Sequence, residues 1–352
     1  MKNYINVILS ALFILIFSFW CFFVKTPEFS ESERRQLAKF PEVNLENISS
    51  GQFAGDFESY TTDRFPLRDM WRTIKAYTRY YVFMQDENNG IYYKNGHISK
   101  QEYPMNKNMM DHAIDRFNNV KEMYIKEDNK VYFAMIPDKN KYLAELKMDY
   151  DAFEKYMHEN LTFMTPIKVG DLLSEDDYYF TDSHWRQNKI VDVAEKIATS
   201  MGTNISGEYK ENVLDKEFFG VWSGQSALNV KPDTITYLTN DTIDNYKVTG
   251  ANAVYDMLKA ESRDPYEFFL SGNQPVITIE NSKNTSGKTL IIFRDSFGSS
   301  ISPLLAEGYS KTVLVDLRYI HPSYIGNFVD FTNADVLFLY STVLLNSSLG
   351  IK

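Results

Sequence analysis

The sequence predicts an α/β protein, with a mainly parallel sheet flanked by helices. Strand-like and helix-like segments alternate over much of the chain, the pattern that lays strands side by side in parallel and covers both faces with helices. Two of the strand-like segments, Leu290-Ile291-Ile292-Phe293 and Val336-Leu337-Phe338-Leu339, are apolar without interruption. Such runs suit central strands buried on both faces. A third feature, an apolar run from Ile5 to Val24, precedes the α/β pattern.

That run sets the organisation of the 352 residues. Twenty residues at about 1.5 Å each give ~30 Å, enough to cross a hydrocarbon core. Its end, Phe19-Trp20-Cys21-Phe22-Phe23, is bulky, whereas a signal-peptidase site wants small residues. Residues 1–25 are therefore expected to be an uncleaved transmembrane signal anchor, with cleavage as the alternative. Lys2 and the terminal amine favour a cytoplasmic amino end. Residues 26–50, polar and charged, read as a stalk, and 51–352 as the exported domain.

Within that domain, Phe53–Tyr60 and Pro66–Met84 read as helices, with Pro66 marking a helix start. Gly90–Tyr93 and Gly96–Ile98, joined through Asn95-Gly96, read as a hairpin. Met109–Tyr124 has helical periodicity, Val131–Ile136 is a buried strand, and Lys139–His158 reads as one helix. Ile167–Val169 and Tyr178–Phe180 are short strand candidates. Ile190, Val193, Ala194 and Ile197 share a helix face. The stretch of about 202–287 is rich in Gly, Asn and Thr with short β-like pieces, and reads as a β-rich insertion. The α/β pattern then resumes with a strand at Thr289–Phe293, a helix near Ser299–Glu307 interrupted at Pro303, and strands at Thr312–Val315 and Asp335–Tyr340.

The net charge of −10 disfavours a nucleic-acid partner. The single cysteine, Cys21, rules out an intramolecular disulfide. No cofactor motif is present. No His-Glu-x-x-His, cysteine ligand set or tight His–carboxylate cluster nominates a metal, and Glu175-Asp176-Asp177 reads as a solvated turn.

Chemistry concentrates in Thr181-Asp182-Ser183-His184-Trp185 and Arg294-Asp295-Ser296-Phe297-Gly298. Ser296 directly follows an apolar strand, which puts its hydroxyl at the carboxyl edge of the sheet. Backbone N–H groups there, at Phe297 and Gly298, could stabilise an oxyanion. A plain helix N-cap is the competing role for Ser296. His184 has Asp182 two residues before it, close enough to orient an imidazole acting as general base. Asp182 or Ser183 capping a helix near Trp185 is the alternative. Of the other four histidines, His97, His112 and His158 are expected to face solvent, and His321 is the rival base. Lys139 and Arg294, near strand ends, could contact an anionic sugar or form surface ion pairs. Trp185 could stack on a sugar ring or simply pack.

Asp-x-His-Trp followed later by Asp-Ser-Phe after a strand resembles the DHHW family and the related alginate acetylation proteins of the SGNH hydrolase superfamily. Asp63-Arg64-Phe65-Pro66-Leu67-Arg68-Asp69, Ile136-Pro137-Asp138-Lys139 and Asp335-Val336-Leu337-Phe338-Leu339-Tyr340-Ser341 extend the resemblance. It implies an SGNH hydrolase-like fold in circularly permuted order, since Asp-x-His precedes the serine. It also implies the triad Ser296, His184 and Asp182. The chain departs from the family at Ser183, where the name implies histidine, and at Arg294, where ordinary SGNH enzymes carry glycine. The strand that usually delivers an oxyanion-hole asparagine ends instead in Tyr340-Ser341-Thr342. This leaves Ser341 and the loop residue Asn273 as candidate donors, Asn273 being equally a turn residue.

The expected function is an extracytoplasmic O-acyltransferase (O-acetyl by resemblance) or acetylesterase acting on a cell-surface polysaccharide. The resemblance implies acetyl supplied by a membrane-bound O-acyltransferase. The alternative is a catalytically inactive polysaccharide-binding or assembly protein of the same fold.

Overall fold

The structure, a computed structural model, describes residues 2–23 and 27–352, with the side chains of 2, 3, 21 and 22 left aside. The chain forms two compact units, Met1–Tyr93 with Val221–Val230, and Lys94–Gly220 with Lys231–Lys352.

In the first unit the apolar run forms a helix, Lys2–Phe23. Part of the expected anchor, at Met1, Val24 and Lys25, lies outside the described residues, and among those described no helix is long and apolar enough to cross a membrane. The segment expected as a stalk is built into the unit. Phe29–Ser30 pairs antiparallel with Arg35–Gln36, and Leu45–Ser49 is helical. Gln52–Asp63 and Arg68–Tyr77 are helices, separated by a turn in which Leu67 takes a positive φ of 56°. The latter helix continues as a wider π turn, Thr78–Val82. Ala76, Tyr80 and Leu228 form a small core there.

The second unit is organised by a seven-stranded sheet. Its strands in chain order are β1 (Lys130–Ile136), β2 (Thr165–Pro166), β3 (Lys247–Thr249), β4 (Val276–Glu280), β5 (Thr289–Arg294), β6 (Lys311–Val315) and β7 (Ala334–Ser341). They lie in the order β3-β4-β6-β5-β7-β1-β2. β6, β5, β7, β1 and β2 run parallel, while β3 and β4 add antiparallel at one edge. Strand side chains alternate between two faces, and each face buries its own core. Ile292, Leu290, Leu337 and Leu339 meet Val193, Ala194 and Ile197 of one helix and Ile301 and Leu304 of another. Ile291, Phe293, Val336 and Phe338 meet Met110, Phe117, Phe153 and Met157. The helices are α1 (Lys107–Tyr124), α2 (Tyr150–Asn160), α3 (Val191–Ser200) and α4 (Gly298–Leu305).

Two expectations are corrected. The stretch 139–158 is two helices, Asn140–Leu143 and α2, because Ala144 turns extended and the Asp149 carboxylate starts a fresh helix by accepting from the Ala152 N–H at 2.9 Å. The β-rich stretch is divided between two places. Lys210–Phe218 and Asp233–Thr239 form a separate antiparallel pair, but β3 and β4 belong to the main sheet.

β5 is flanked by β6 on one side and β7 on the other, so the chain reverses its direction of travel across the sheet at β5. Open α/β sheets carry their sites at the carboxyl end of such a switch point. Ser296 lies there.

Candidate active site

β5 ends at Arg294, and α4 begins at Gly298 with Phe297 as its N-cap. Ser296 is therefore in the turn between them, half-buried, and does not cap the helix. Its Oγ lies 2.7 Å from His184 Nε2, while His184 Nδ1 lies 2.5 Å from Asp182 Oδ1. The same carboxylate oxygen accepts the His184 backbone N–H at 3.0 Å. Asp182 is thus occupied by His184, and α3 begins only at Val191, so neither Asp182 nor Ser183 caps it. A hydroxyl, an imidazole and a carboxylate in this sequence of contacts can pass a proton from serine to histidine and hold the resulting imidazolium.

The loop carrying Asp182 and His184 is a tight hairpin. Tyr178 and Trp185 form an antiparallel bridge, and Tyr179 N–H donates to His184 O at 3.1 Å. Two buried charges hold it. Asp233 accepts from the N–H groups of Phe180 and Thr181 and from the Thr181 hydroxyl, at 2.7–2.8 Å. The Lys139 ammonium donates to the carbonyls of Tyr179, Phe180 and Asp182, at 2.9, 3.2 and 2.8 Å. Burial draws the Lys139 pKa down to about 7, against the opposing charges of Asp182 and Asp233. The loop also docks on the helix that follows Ser296. Trp185 Nε1 donates to Phe297 O and Ser300 Oγ, and Gln187 Nε2 to Ser300 O. The His184 ring stacks on Tyr266, with centroids 3.8 Å apart and planes 9° apart.

Several expectations change here. Lys139, Arg294 and Trp185 are 1%, 0% and 0% exposed, so none contacts a sugar or makes a surface ion pair. Lys139 supports the loop from inside, and Trp185 ties it to α4. Arg294 Nη1 reaches Ser299 Oγ at 3.1 Å and buried Asp316 at 3.6 Å, and its Nη2 reaches Gly272 O at 3.4 Å. A methyl on Gly298 would sit 2.6 Å from Arg294 Cβ, so that glycine is required for close approach. The expected oxyanion donors are largely engaged by Asp295. Its Oδ1 takes the Phe297 N–H at 3.0 Å, and its Oδ2 takes the Ser341 N–H and hydroxyl at 2.8 and 2.6 Å. Gly298 N–H donates to Asp295 O at 3.1 Å. The Ser296 N–H has no acceptor among the described residues, and Asn273 is exposed.

Of the remaining histidines, His97 is buried rather than solvent-facing, and its pKa falls to about 4 through burial and the charges of Lys139 and Arg186. His112 meets Ser348 Oγ at 3.1 Å, and His158 is half-buried. His321, exposed, accepts the Ser323 N–H and is engaged in its own turn. Sequence reasoning missed Asp233, Tyr266 and Gly220. Gly220 N–H donates to Thr181 Oγ1 at 2.8 Å, and a methyl there would come within 2.4 Å of Asp182 Cβ. Nothing local in the sequence marks any of the three. Among the described residues no group of three or more His, Cys, Asp or Glu could hold a metal ion.

The fold is shared with solved structures. A DHHW family protein from Eubacterium siraeum matches with a TM-score of 0.56 at 20% identity, covering 75% of this chain and 95% of that one. Bacillus cereus PatB1 matches with a TM-score of 0.60 at 20% identity, covering 73% and 97%. The chain shares the fold of both. No family model and no curated protein matches it.

Proposed function

We propose that this chain is a serine-dependent O-acetyltransferase or acetylesterase acting on a cell-surface polysaccharide outside the cytoplasm. The observation that carries the reading is the unbroken line of contacts from Ser296 Oγ through the His184 imidazole to Asp182. His184 Nε2 takes the hydroxyl proton as Ser296 Oγ attacks the acetyl carbonyl. The tetrahedral oxyanion is met by the Ser296 N–H. The imidazolium, steadied by Asp182, returns the proton to the departing alcohol, leaving an acetyl-enzyme. A sugar hydroxyl or a water then attacks that ester, with His184 again as base. The acetyl group, the polysaccharide and a membrane-bound O-acyltransferase as supplier rest on the sequence resemblance.

One observation favours a second reading, a catalytically inactive polysaccharide-binding or assembly protein. Asp295 already occupies the N–H groups of Phe297 and Ser341, so oxyanion stabilisation is thin. Labelling with a serine-directed fluorophosphonate separates the two. The enzyme reading expects wild-type labelling that disappears in Ser296→Ala and His184→Ala, with circular dichroism unchanged. No labelling of the folded wild type favours the inactive protein, and labelling that survives Ser296→Ala assigns a different nucleophile.

A further inference from the structure

The sequence segment Asp63–Asp69 takes no part in the triad, yet it helps build a cavity of ≈ 700 Å³ within the first unit. Five cations, Arg34, Arg35, Arg68, Arg72 and Lys75, line that cavity with a single carboxylate, Glu33. In a chain of net charge −10 this is a marked local reversal of sign.

The arginines are held in place. Glu33 takes Arg68 Nη1 at 2.6 Å, Arg35 Nη2 at 3.2 Å and Arg72 Nη2 at 3.3 Å. Asp63, itself buried, takes Arg35 through both terminal nitrogens, at 2.8 and 2.5 Å, and Arg68 Nη2 at 3.4 Å. Arg72 Nη2 also donates to the carbonyls of Gly224 and Gln225. A third carboxylate, exposed Asp69, takes Arg72 Nη1 at 3.3 Å and Arg68 Nη1 at 3.6 Å, so three carboxylates fix three guanidinium groups and the positive excess at the open side comes from Lys75. Burial pulls the Glu33 and Asp63 carboxyls up, but the arginines prevail and hold them below the usual carboxylate range. At the open side the exposed Lys75 adds a further cation, anchored on Asn89 Oδ1 at 2.7 Å. Trp71 and Phe65, 43% and 41% exposed, line the same cavity. Fixed guanidinium forks suit carboxylate or phosphate oxygens, and exposed aromatic faces suit sugar rings.

We propose that this cavity binds a saccharide bearing carboxylate or phosphate groups, with the oxyanion on the arginine–lysine cluster and a sugar ring against Trp71. The site stands whether or not Ser296 is a nucleophile.

The test is calorimetric titration of the full chain at low salt with oligogalacturonate and a phosphomannan oligosaccharide, and with a neutral malto-oligosaccharide as control. The expected result is binding of at least one anionic probe that weakens with salt and is unchanged in Ser296→Ala. Lys75→Ala and Trp71→Ala should each weaken it about three- to tenfold, and Lys75→Glu should remove it. Lys75 and Trp71 are exposed, so these variants leave the buried network intact. The proposal is overturned by equal binding of the neutral sugar, by binding that survives Lys75→Glu, or by no binding of either anionic probe. Binding only to phosphatidylglycerol vesicles, and not to the soluble glycans, would also overturn it and make the cavity a membrane contact.

Discussion

Asp182 has one neighbour that cannot change size. The Gly220 backbone lies against it, and a methyl would meet both Asp182 Cβ and Thr181 O at 2.4 Å. Neither contact is the end of a flexible side chain, so Gly220→Ala must push the loop. The expected cost is about 1–3 kcal/mol of stability, and the displaced carboxylate should slow fluorophosphonate labelling far more than the lost stability explains. Denaturant titration and labelling rate, measured on the same preparation, check this. An unchanged labelling rate would mean that the loop absorbs the methyl elsewhere. Arg294 teaches the companion lesson. It takes up room beside the turn, and that room is found by making Gly298 the small residue, with the guanidinium buried against Asp316.

The hairpin loop of Tyr178–Trp185 is the element on which the site depends, and it carries a pH signature through His97. The His97 ring lies against Phe180, with centroids 4.4 Å apart, and Ile98 N–H donates to Phe180 O. Held neutral by burial, His97 has a folded pKa of about 4, below the ordinary value of about 6.5. The unfolded chain therefore binds the extra proton first. Stability is fully present above about pH 6.5 and falls as pH drops towards 4, by about 2–3 kcal/mol from this group. Melting temperatures across that window should fall more steeply for wild type than for His97→Phe, and parallel curves would remove His97 as the cause. Much of this element was legible in the sequence. Asp-x-His is a local pattern, and the strand before Ser296 is a local pattern too. The clamp on the loop was not, because Lys139 and Asp233 come from distant segments and look like ordinary surface charges until burial is known. The oxyanion donors failed for the same reason. Ser341 was placed correctly at a strand end, but its hydroxyl belongs to Asp295, a pairing that no one-dimensional pattern contains.

At the scale of the whole molecule, the parallel sheet was readable from apolar runs, while the order of its strands was not. The β-rich stretch was the main misreading, since β3 and β4 complete one edge of the main sheet. Phe338 on β7 sits at the middle of one core, 0% exposed, with its ring 4.6 Å from Phe293 and 5.0 Å from Phe117. Phe338→Ala should cost about 3–5 kcal/mol, read as a lower urea midpoint with an unchanged slope, and a loss under about 1 kcal/mol would mean that the core closes over the gap. The place of β7 has a kinetic meaning as well. It lies between β5 and β1, and Val336 pairs with Val131 some two hundred residues earlier in the chain. As the polypeptide emerges from the ribosome, β1 has no central partner until β7, the last of the sheet's seven strands, is made. The sheet cannot be assembled progressively from the amino end, and its closure must wait until β7 has been made.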